Sequence, residues 1–433
     1  MKSFLLGVFF LLSLVITTNA QRICGTVNYK QQMLAADPSL KQVFKNIEKQ
    51  IASAKNANGN IALRDTASSE IIYIPVVIHL LYKTAGENIS DAQIKSQIDV
   101  LNKDFRMLND DRINTPQAFK AVAGDAKIQF CLAQVDPQGK RTSGIDRKNT
   151  TQSLFTTDDA MKMPLKGGAA AWDSKRYLNI WVCNLSSRSV GYATPPGGPS
   201  ELDGVVIAYD VFGTTGNLRP IFNKGRTATH EIGHWLGLIH TWGDDNCGDD
   251  HVDDTPTQES YNFGCSSFPK LSACSPDSNG DMFMNFMDFS DDACMNLFTK
   301  GQVKRMRALF AQNNIRNSFL TSFACDSTLA QDETQGGALP AIGTDNTPVA
   351  TTSLRSTKVY PSPVHTVTTI ECKAATALTV KTLNIFNSLG MKVFTGRLIQ
   401  EKTTVDLSRL VPGIYIVHIA DGKESFTTKI IKQ

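Results

Sequence analysis

Three histidines and one glutamate stand at a fixed spacing in the middle of the sequence. His230 and His234 are four residues apart, Glu231 follows the first of them, and His240 comes six residues after the second. On a helix that turns about 100° per residue, His230 and His234 project from one face and can share a metal ion. His240 would lie on the wrong side of that helix. The helix must therefore end first, and Gly237 can adopt the left-handed conformation that ends it.

This spacing predicts metal-assisted hydrolysis. Three neutral imidazoles bind one Zn²⁺ and leave a fourth tetrahedral position for water, whose pKa zinc lowers to about 7. Glu231, beside the first ligand, is placed to take a proton from the water that attacks a carbonyl and to pass it to the leaving amine. A site with a distant glutamate as third ligand is the alternative, and His240 makes it unnecessary.

The segments around this motif must supply a scaffold for it. A dense run of β-type residues at 71–80 predicts a strand buried on both faces. Ser90 predicts a helix start, with Gln93 completing a capping box, and apolar residues follow at spacings of three and four. Further strands are predicted at 127–135, 177–183 and 204–209, and a closing helix at 302–311. This order predicts an α+β domain around a twisted sheet.

The N-terminus and the composition indicate the compartment. A positive Lys2, an apolar stretch at 4–16 and a small residue at Ala20 predict a signal peptide, with an uncleaved membrane anchor as the alternative. Export exposes the nine cysteines to an oxidising environment, where they are candidates for disulfides. The 44 basic and 41 acidic residues nearly balance, which argues against nucleic acid as a partner. No internal apolar run is long enough to span a membrane.

The motif and its flanks resemble the pappalysin-like (cytophagalysin) family of metzincin zinc metalloproteases. Besides the zinc motif, the resemblance rests on residues 225–229, 241–243, 254–256 and 285–288. It covers roughly residues 70 to 324. It implies a catalytic domain with a twisted mixed five-stranded sheet, a backing helix, an active-site helix and an irregular C-terminal subdomain. It also implies endopeptidase activity on proteins.

The resemblance also assigns roles after the motif. Met287 matches the Met-turn beneath the zinc; a plain core methionine is the alternative. Phe289 stands where many metzincins carry a tyrosine, so that hydroxyl is missing here. Asp292 falls where the family places the wall of the S1′ pocket, and a carboxylate there would select Arg or Lys. An acidic surface residue is the alternative reading. A basic P1′ preference would make the bond Leu63–Arg64 a self-cleavage site.

An acidic loop follows the zinc motif and predicts a second cation. Its six aspartates within residues 244–254 repel one another unless a hard cation lies among them. The resemblance points to Asp250, Asp253 and Thr255 as calcium ligands, partly through main-chain carbonyls. A solvated loop without a bound ion is the alternative.

The cysteines divide into several groups. Four of them lie in the irregular subdomain, where sequence alone permits three connectivities; the resemblance implies the pairs Cys247–Cys274 and Cys265–Cys294. Cys131 and Cys183, in apolar strands, are buried thiols or a further bridge. Cys24 opens the segment after the signal peptide, and its thiolate can hold the zinc and keep the enzyme latent. A disulfide with an otherwise unpaired partner is the alternative.

The tail resembles a type IX secretion sorting domain. Its short strands, separated by turn residues, predict a small β-sandwich, and a carbohydrate- or protein-binding sandwich is the alternative. The resemblance implies a Gram-negative cell, with the type IX machinery as partner and export to the outer-membrane surface or the medium.

The predicted organisation is a signal peptide at 1–20, a propeptide at 21–63, the catalytic domain at 64–325, a linker at 326–356 and the sorting domain at 357–433. A helical hairpin packed permanently on the catalytic domain is the alternative for the propeptide.

These observations together predict a secreted zinc endopeptidase, made as a zymogen, that acts as a monomer on protein or peptide substrates. The alternative comes from a different class of protein: a surface binding or adhesion protein whose metzincin fold is catalytically weak or inactive.

Overall fold

The structure is a computed structural model and describes residues 24–56, 71–186, 189–276, 279–322, 324–325, 357–372, 381–387, 392–398, 401–408, 410–420 and 425–433. The predicted signal peptide, the linker and the bond Leu63–Arg64 lie outside these ranges. None of the helices within them has the length and apolar character needed to span a bilayer. The helices are α1 (Thr26–Ala36), α2 (Leu40–Asn56), α3 (Asp91–Asp104), α4 (Gln117–Lys120), α5 (Arg226–Trp235) and α6 (Lys300–Ala308).

One mixed sheet forms the centre of the catalytic part. Its strands are β1 (Ile72–Tyr82), β2 (Ile128–Leu132), β3 (Ile145–Asn149), β4 (Leu178–Cys183), β5 (Gly191–Ala193) and β6 (Val205–Ala208). The order is β2-β1-β4-β6-β5, and only the edge strand β5 runs antiparallel to its neighbour. The first half of β1 pairs with β2 and its second half with β3. Strands β2 and β3 therefore follow one another along the same side of β1. Counted together as one position, they give the sheet the five strands that the resemblance implied.

The central strand and the helix after it follow the sequence pattern. Strand β1 is buried from Ile74 to Leu81, as a strand covered on both faces must be. Ser90 caps α3 by accepting a hydrogen bond of 3.1 Å from the Gln93 N–H. The predicted capping box is wrong in its second half, because the Gln93 amide donates instead to the carbonyls of Tyr209 and Phe212.

The closing helix α6 carries the capping box that was not predicted. Thr299 accepts from the Gln302 N–H, and the Gln302 side chain accepts from the Thr299 N–H at 2.9 Å. Because of this cap, α6 begins two residues earlier than the apolar spacing indicated.

The two N-terminal helices pack on the catalytic part. Apolar side chains of α1 and α2 join the main core: Tyr29, Met33, Leu40, Phe44, Ile47 and Ile51. Arg305 of α6 forms an ion pair of 2.5 Å with Glu48 of α2, and its Nε donates to the Gly237 carbonyl. The segment predicted as a propeptide is therefore docked beside the end of the zinc motif.

The C-terminal strands form two sheets around a second core. They are β7 (Lys358–Tyr360), β8 (Val367–Glu371), β9 (Lys381–Asn387), β10 (Lys392–Leu398), β11 (Lys402–Asp406), β12 (Gly413–Ala420) and β13 (Ser425–Lys432). One sheet has the order β10-β9-β12-β13 and the other β11-β8-β7. Ile370 and Val405 from the smaller sheet share a core with Ile385 and Val417 from the larger. This is the small β-sandwich that the short strands and the turn residues between them predicted.

Three disulfides stabilise the catalytic part. Cys247 pairs with Cys274 and Cys265 with Cys294, the connectivity that the resemblance implied. A third bridge, Cys131–Cys325, joins β2 to the end of the catalytic part. Within the described residues, Cys24, Cys183 and Cys372 are buried free thiols.

Candidate active site

Helix α5 carries the first two histidines and is buried along its whole length. It ends where the sequence indicated. Gly237 has φ +81°, its N–H donates to the His234 carbonyl at 2.9 Å, and the Leu238 N–H donates to the Gly233 carbonyl at 2.9 Å. These two hydrogen bonds form a C-cap in which Gly237 has the left-handed conformation. The cap satisfies the last carbonyls of the helix and reverses the direction of the chain. The reversal brings His240 back to the face of α5 that carries the other two rings.

The three histidines meet through their Nε2 atoms. His230 Nε2 lies 3.2 Å from His234 Nε2 and 3.2 Å from His240 Nε2, and the third separation is 3.0 Å. Ligands on one tetrahedral zinc ion with bonds of about 2.0–2.1 Å are roughly 3.3 Å apart. The triangle of nitrogens therefore has the size that a single zinc ion requires.

The contact that Nδ1 of each ring makes determines the tautomer of that ring. Nδ1 of His230 lies 2.7 Å from the Phe286 carbonyl and Nδ1 of His234 lies 2.9 Å from the Leu238 carbonyl, so each must carry the hydrogen that it donates. Nδ1 of His240 contacts the Asp244 carboxylate. In the neutral rings the three Nε2 lone pairs then face one another, an arrangement that repels unless a cation accepts them. Burial, and then the charge of His240, lowers the pKa of His234 to about 3, which keeps that ring neutral.

A methionine supports the helix beneath the histidines. Met287 is fully buried, and a Cβ added at Gly233 would lie 2.5 Å from its sulfur. Gly233, between the two histidines of α5, is therefore needed for this close approach. Met287 is held by a bond from its N–H to the Asn285 side chain at 2.9 Å, and its carbonyl accepts from the Thr241 N–H. The Met287 side chain thus packs directly against the turn of α5 that separates His230 from His234.

Cys24 completes a four-ligand cluster with the histidines. Its Sγ and one ring nitrogen of each histidine all lie within 4.8 Å of one another, and all four residues are buried. Sγ also donates to Glu231 Oε2 at 3.4 Å. Burial, followed by the charge of Glu231, raises the pKa of the Cys24 thiol well above its ordinary value. A cation among the histidines would favour the thiolate, which makes the fourth ligand chemically suitable for zinc.

The N-terminal segment reaches the site by pairing with edge strand β5. Cys24 forms a parallel bridge with Gly191, and the Gly25 N–H donates to the Gly191 carbonyl at 2.9 Å. Thr26 Oγ1 accepts from the Ala193 N–H and donates to Glu231 Oε2, both at 2.9 Å. A Cβ at Gly191 would lie 2.9 Å from Glu231 Cγ, so the edge strand approaches the glutamate closely. Thr26 was not predicted, because nothing local in the sequence links it to a residue 205 positions away.

Aromatic rings enclose the cluster on one side. The Trp242 ring stacks on His240 at a centroid distance of 4.2 Å, and the Phe289 ring lies 4.9 Å from His240. Cys24, Trp242 and Phe289 form a small apolar cluster of their own. Phe289 therefore occupies the site but supplies an apolar surface in place of the hydroxyl common in metzincins.

The Asp292 side chain is fully buried and contacts the N-terminus of α5. Its Oδ2 accepts from the backbone N–H groups of Lys224 and Arg226, at 3.0 and 3.2 Å. A carboxylate at a helix N-terminus is favoured by the helix dipole, so this contact also stabilises the active-site helix.

The acidic loop distributes its carboxylates among different partners. Both Asp250 oxygens accept from Thr255 Oγ1, at 3.0 and 2.8 Å, whereas Asp254 accepts from the Gly301 N–H and Asp253 is exposed. Burial raises the pKa of Asp250 to about 6. Among the described residues, the histidine–cysteine cluster is the only group of three or more His, Cys, Asp or Glu side chains close enough to share an ion.

Comparisons with known proteins show which proteins this chain is similar to. Residues 167–311 match the peptidase family M43, described as pregnancy-associated plasma protein-A, and residues 358–433 match the secretion system C-terminal sorting domain. An extracellular metalloprotease of Pyricularia oryzae is 33% identical over 64% of this chain and 88% of its own. Mature mirolysin of Tannerella forsythia with a cleaved peptide is 50% identical, with a TM-score of 0.59 over 61% of this chain and 100% of its own. A promirolysin variant from the same organism is 48% identical, with a TM-score of 0.63 over 69% and 97%.

The fold and the site define the class of protein. The chain belongs to the pappalysin family of metzincin proteases and is a zinc metalloendopeptidase. The second match shows a type IX sorting domain at its C-terminus, so the enzyme is secreted or displayed at the cell surface.

Proposed function

We propose that the chain is a latent endopeptidase in which His230, His234 and His240 hold the zinc and Glu231 is the general base. The observation that carries this proposal is the triangle of Nε2 atoms, 3.0–3.2 Å apart, with each Nδ1 engaged elsewhere. Residues 24–56 would be the part of the propeptide that blocks this centre, and the similarity to promirolysin supports a zymogen of this architecture.

When bound, zinc supplies Lewis-acid polarisation of the scissile carbonyl and of the attacking water. Glu231 takes the proton of that water at Oε2, the oxygen that Cys24 and Thr26 contact in the latent form, and returns it to the leaving nitrogen. In the latent form the glutamate is fully buried, so its charge there acts in a medium of low polarity, where electrostatic effects are larger than in water.

A substrate would pair with strand β5 once residues 24–56 have left. The Gly191 carbonyl and the Ala193 N–H, which Gly25 and Thr26 use in the latent form, are then available to an extended peptide. Adding a strand to an exposed sheet edge is a common mode of peptide recognition, in which backbone bonds give affinity and alternate side chains give specificity. Release of the N-terminal segment therefore exposes the metal centre, the general base and the edge of β5 that binds the substrate at the same time.

Zinc removal tests this proposal. We expect a chelator such as 1,10-phenanthroline to abolish casein hydrolysis by the mature enzyme, and added zinc to restore it, because three neutral imidazoles without a metal ion cannot polarise the attacking water. Elemental analysis is expected to find about one zinc per chain. A binding protein with an inactive site would hold the zinc yet hydrolyse nothing. Full activity in protein free of transition metal would contradict the proposal.

We also propose that Asp292 gives a preference for Arg or Lys at P1′. Its buried carboxylate lies at the start of the active-site helix, in the segment that follows the Met-turn. Such a preference would allow self-cleavage at Leu63–Arg64, the predicted end of the propeptide.

Asp292→Asn tests the preference and keeps an acceptor for the two backbone N–H groups. We expect kcat/KM for a P1′ Arg peptide to fall about 10–100-fold, since hydrogen bonds to charged groups contribute about 1.5–3 kcal/mol. A P1′ Leu peptide should change little. Asp291→Asn, at the neighbouring carboxylate, is the control. A peptide library that shows no P1′ preference for basic residues would refute the assignment.

Calcium is proposed at Asp250, Asp253 and Thr255. The buried Asp250 carboxylate, the Thr255 hydroxyl and the Val252 carbonyl lie together, since Thr255 Oγ1 is 2.9 Å from that carbonyl and contacts both Asp250 oxygens. Oxygen donors of these kinds are the ligands that Ca²⁺ takes.

Thermal unfolding tests the calcium site. Calcium at about 100 times its Kd would stabilise the fold by about 2.7 kcal/mol, which corresponds to a rise in Tm of roughly 5–10 °C. We expect EGTA to reverse the rise, Asp250→Asn to abolish it, and Asp249→Asn, at an exposed neighbour, to retain it. A Tm that does not depend on calcium would rule the site out.

The sorting domain supports a proposed route and location. We infer a Gram-negative cell, recognition of residues 357–433 by the type IX machinery, and a mature monomer that is released or held at the outer-membrane surface. Protein or peptide substrates are proposed from the family and from the cleaved peptide bound to mirolysin.

A further inference from the structure

A buried polar cluster lies at edge strand β5, on the sheet face opposite the active-site helix. Trp181, Val206 and Tyr192 are cross-strand partners and therefore share one face. Gly191, one residue before Tyr192, lies on the other face against Glu231. Lys162 lies over the first face, with its Nζ 5.3 Å from the Trp181 ring centre and 5.1 Å from that of Tyr192.

The cluster is built entirely from the catalytic part, and we call Asp159, Lys162, Tyr192 and Thr194 the Lys162 pocket. Lys162 Nζ forms an ion pair of 2.8 Å with Asp159 and donates to Thr194 Oγ1 at 3.1 Å. The Tyr192 hydroxyl donates to Asp159 at 3.2 Å. The Lys162 side chain has no exposed surface, so a charged pair is held here in a site closed to solvent.

The side chain that closes the pocket is Tyr29 of the N-terminal segment. Its hydroxyl donates to Asp159 Oδ2 at 2.8 Å and accepts from Lys162 Nζ at 3.2 Å. Its ring lies 4.7 Å from the Tyr192 ring, and Lys162 Nζ lies 4.8 Å from the Tyr29 ring centre. Burial, and then the charge of Asp159, raises the pKa of Tyr29, so the phenol stays protonated as a donor. Tyr29 thus fills the pocket as a bound phenol would.

The pocket adjoins the path on which a substrate is proposed to bind. Tyr192 stands on β5 between Gly191 and Ala193, the residues whose backbone groups hold the N-terminal segment. Every second side chain of a peptide extended along this edge points to the face that carries Tyr192. When the N-terminal segment leaves, one such side chain can enter the space that Tyr29 occupied.

We propose that the Lys162 pocket is a specificity subsite for a tyrosine side chain of the substrate, at one fixed position relative to the cleaved bond. The phenol hydroxyl would donate to Asp159 and accept from Lys162, while its ring packs against Tyr192. A phenylalanine at that position leaves both polar groups without the hydroxyl. This inference rests on the proposed function, since it places the substrate along β5.

The test compares tyrosine with phenylalanine in otherwise identical quenched fluorescent peptides. Enzyme matured from the full chain is assayed with each residue placed in turn at the positions on both sides of the cleaved bond. We expect kcat/KM to favour Tyr over Phe by about tenfold or more at one position. Lys162→Met, which keeps the length of the side chain, should lower that ratio, because the hydroxyl then keeps only its bond to Asp159, while the Phe peptide is still cleaved. Lys166→Met, at an exposed residue nearby, should leave the ratio unchanged.

The Tyr:Phe ratio of kcat/KM distinguishes a specificity subsite from a purely structural role of Lys162. A structural defect would lower kcat/KM for both peptides and leave their ratio unchanged. A Tyr:Phe ratio near one at every position in the wild type would overturn the proposal, and so would a ratio that Lys162→Met leaves intact. Should Lys162→Met fail to fold, the wild-type ratio and its change in Tyr192→Phe decide. Failure to cleave any peptide would contradict the proposed function, not the subsite.

Discussion

Replacement of Glu231 by Gln in the mature enzyme is expected to lower kcat/KM for peptide hydrolysis by about 10²–10⁴-fold. Glutamine keeps the volume of the side chain, and in the latent chain it still offers an oxygen to the Thr26 hydroxyl, so the variant zymogen should keep its fold. It cannot accept the proton of the attacking water. Because the three histidines are untouched, the zinc content should stay at about one ion per chain.

A fluorogenic peptide assay together with elemental analysis makes this measurement. Glu201→Gln, at an exposed glutamate, is the control and should retain wild-type activity. Activity of Glu231→Gln within a few-fold of the wild type, with zinc bound, would remove Glu231 from its assigned role. Loss of zinc from the variant would instead show that the glutamate organises the metal site.

The second large effect is expected in the zymogen, where two side chains hold the site closed. Cys24 lies in the four-ligand cluster, and the Thr26 hydroxyl bonds the general base directly. Cys24→Ala should raise the initial peptidase rate of the uncleaved chain by about tenfold or more, since the fourth metal position opens. Adding Thr26→Val, which keeps the side-chain shape, should raise the rate a further 10–100-fold or so, because a hydrogen bond to a charged group is lost.

Initial rates must be taken while a gel shows the chain still intact. Cys183→Ala serves as the control, because Cys183 is a buried free thiol in β4, whereas Cys24 lies in the metal-ligand cluster. If Cys24→Ala leaves the zymogen as inert as before, the thiol is not the latency switch. If the double variant equals Cys24→Ala alone, Thr26 contributes only to folding.

The zinc-binding geometry was predictable because it is local. His230, His234 and the helix-ending Gly237 lie within eight consecutive residues, so the helical repeat and one glycine determine which rings can meet. The strong apolar runs of β1 and β4 were predictable for a similar reason, since burial on both faces requires them.

What the sequence did not reveal depends on contacts between distant segments. Strand β3 is polar and half-exposed, and β5 has only three residues, so neither carries a strand pattern of its own. Thr26 and Tyr29 gain their roles only from docking beside β5. The separate hydrogen-bond partners of Asp250 and Asp254 in the acidic loop could not be predicted from the spacing of aspartates along the chain.

The bridge between Cys131 and Cys325 affects what proteolytic cleavage does to this enzyme. It closes a covalent ring of the chain that contains α5, His240, the Met-turn and both remaining disulfides. A nick in any surface loop inside that ring leaves the two fragments joined through sulfur. Nicked and intact enzyme should therefore co-migrate on a denaturing gel until a reductant is added. Cleavage of a loop inside the ring does not by itself release a fragment of the catalytic part.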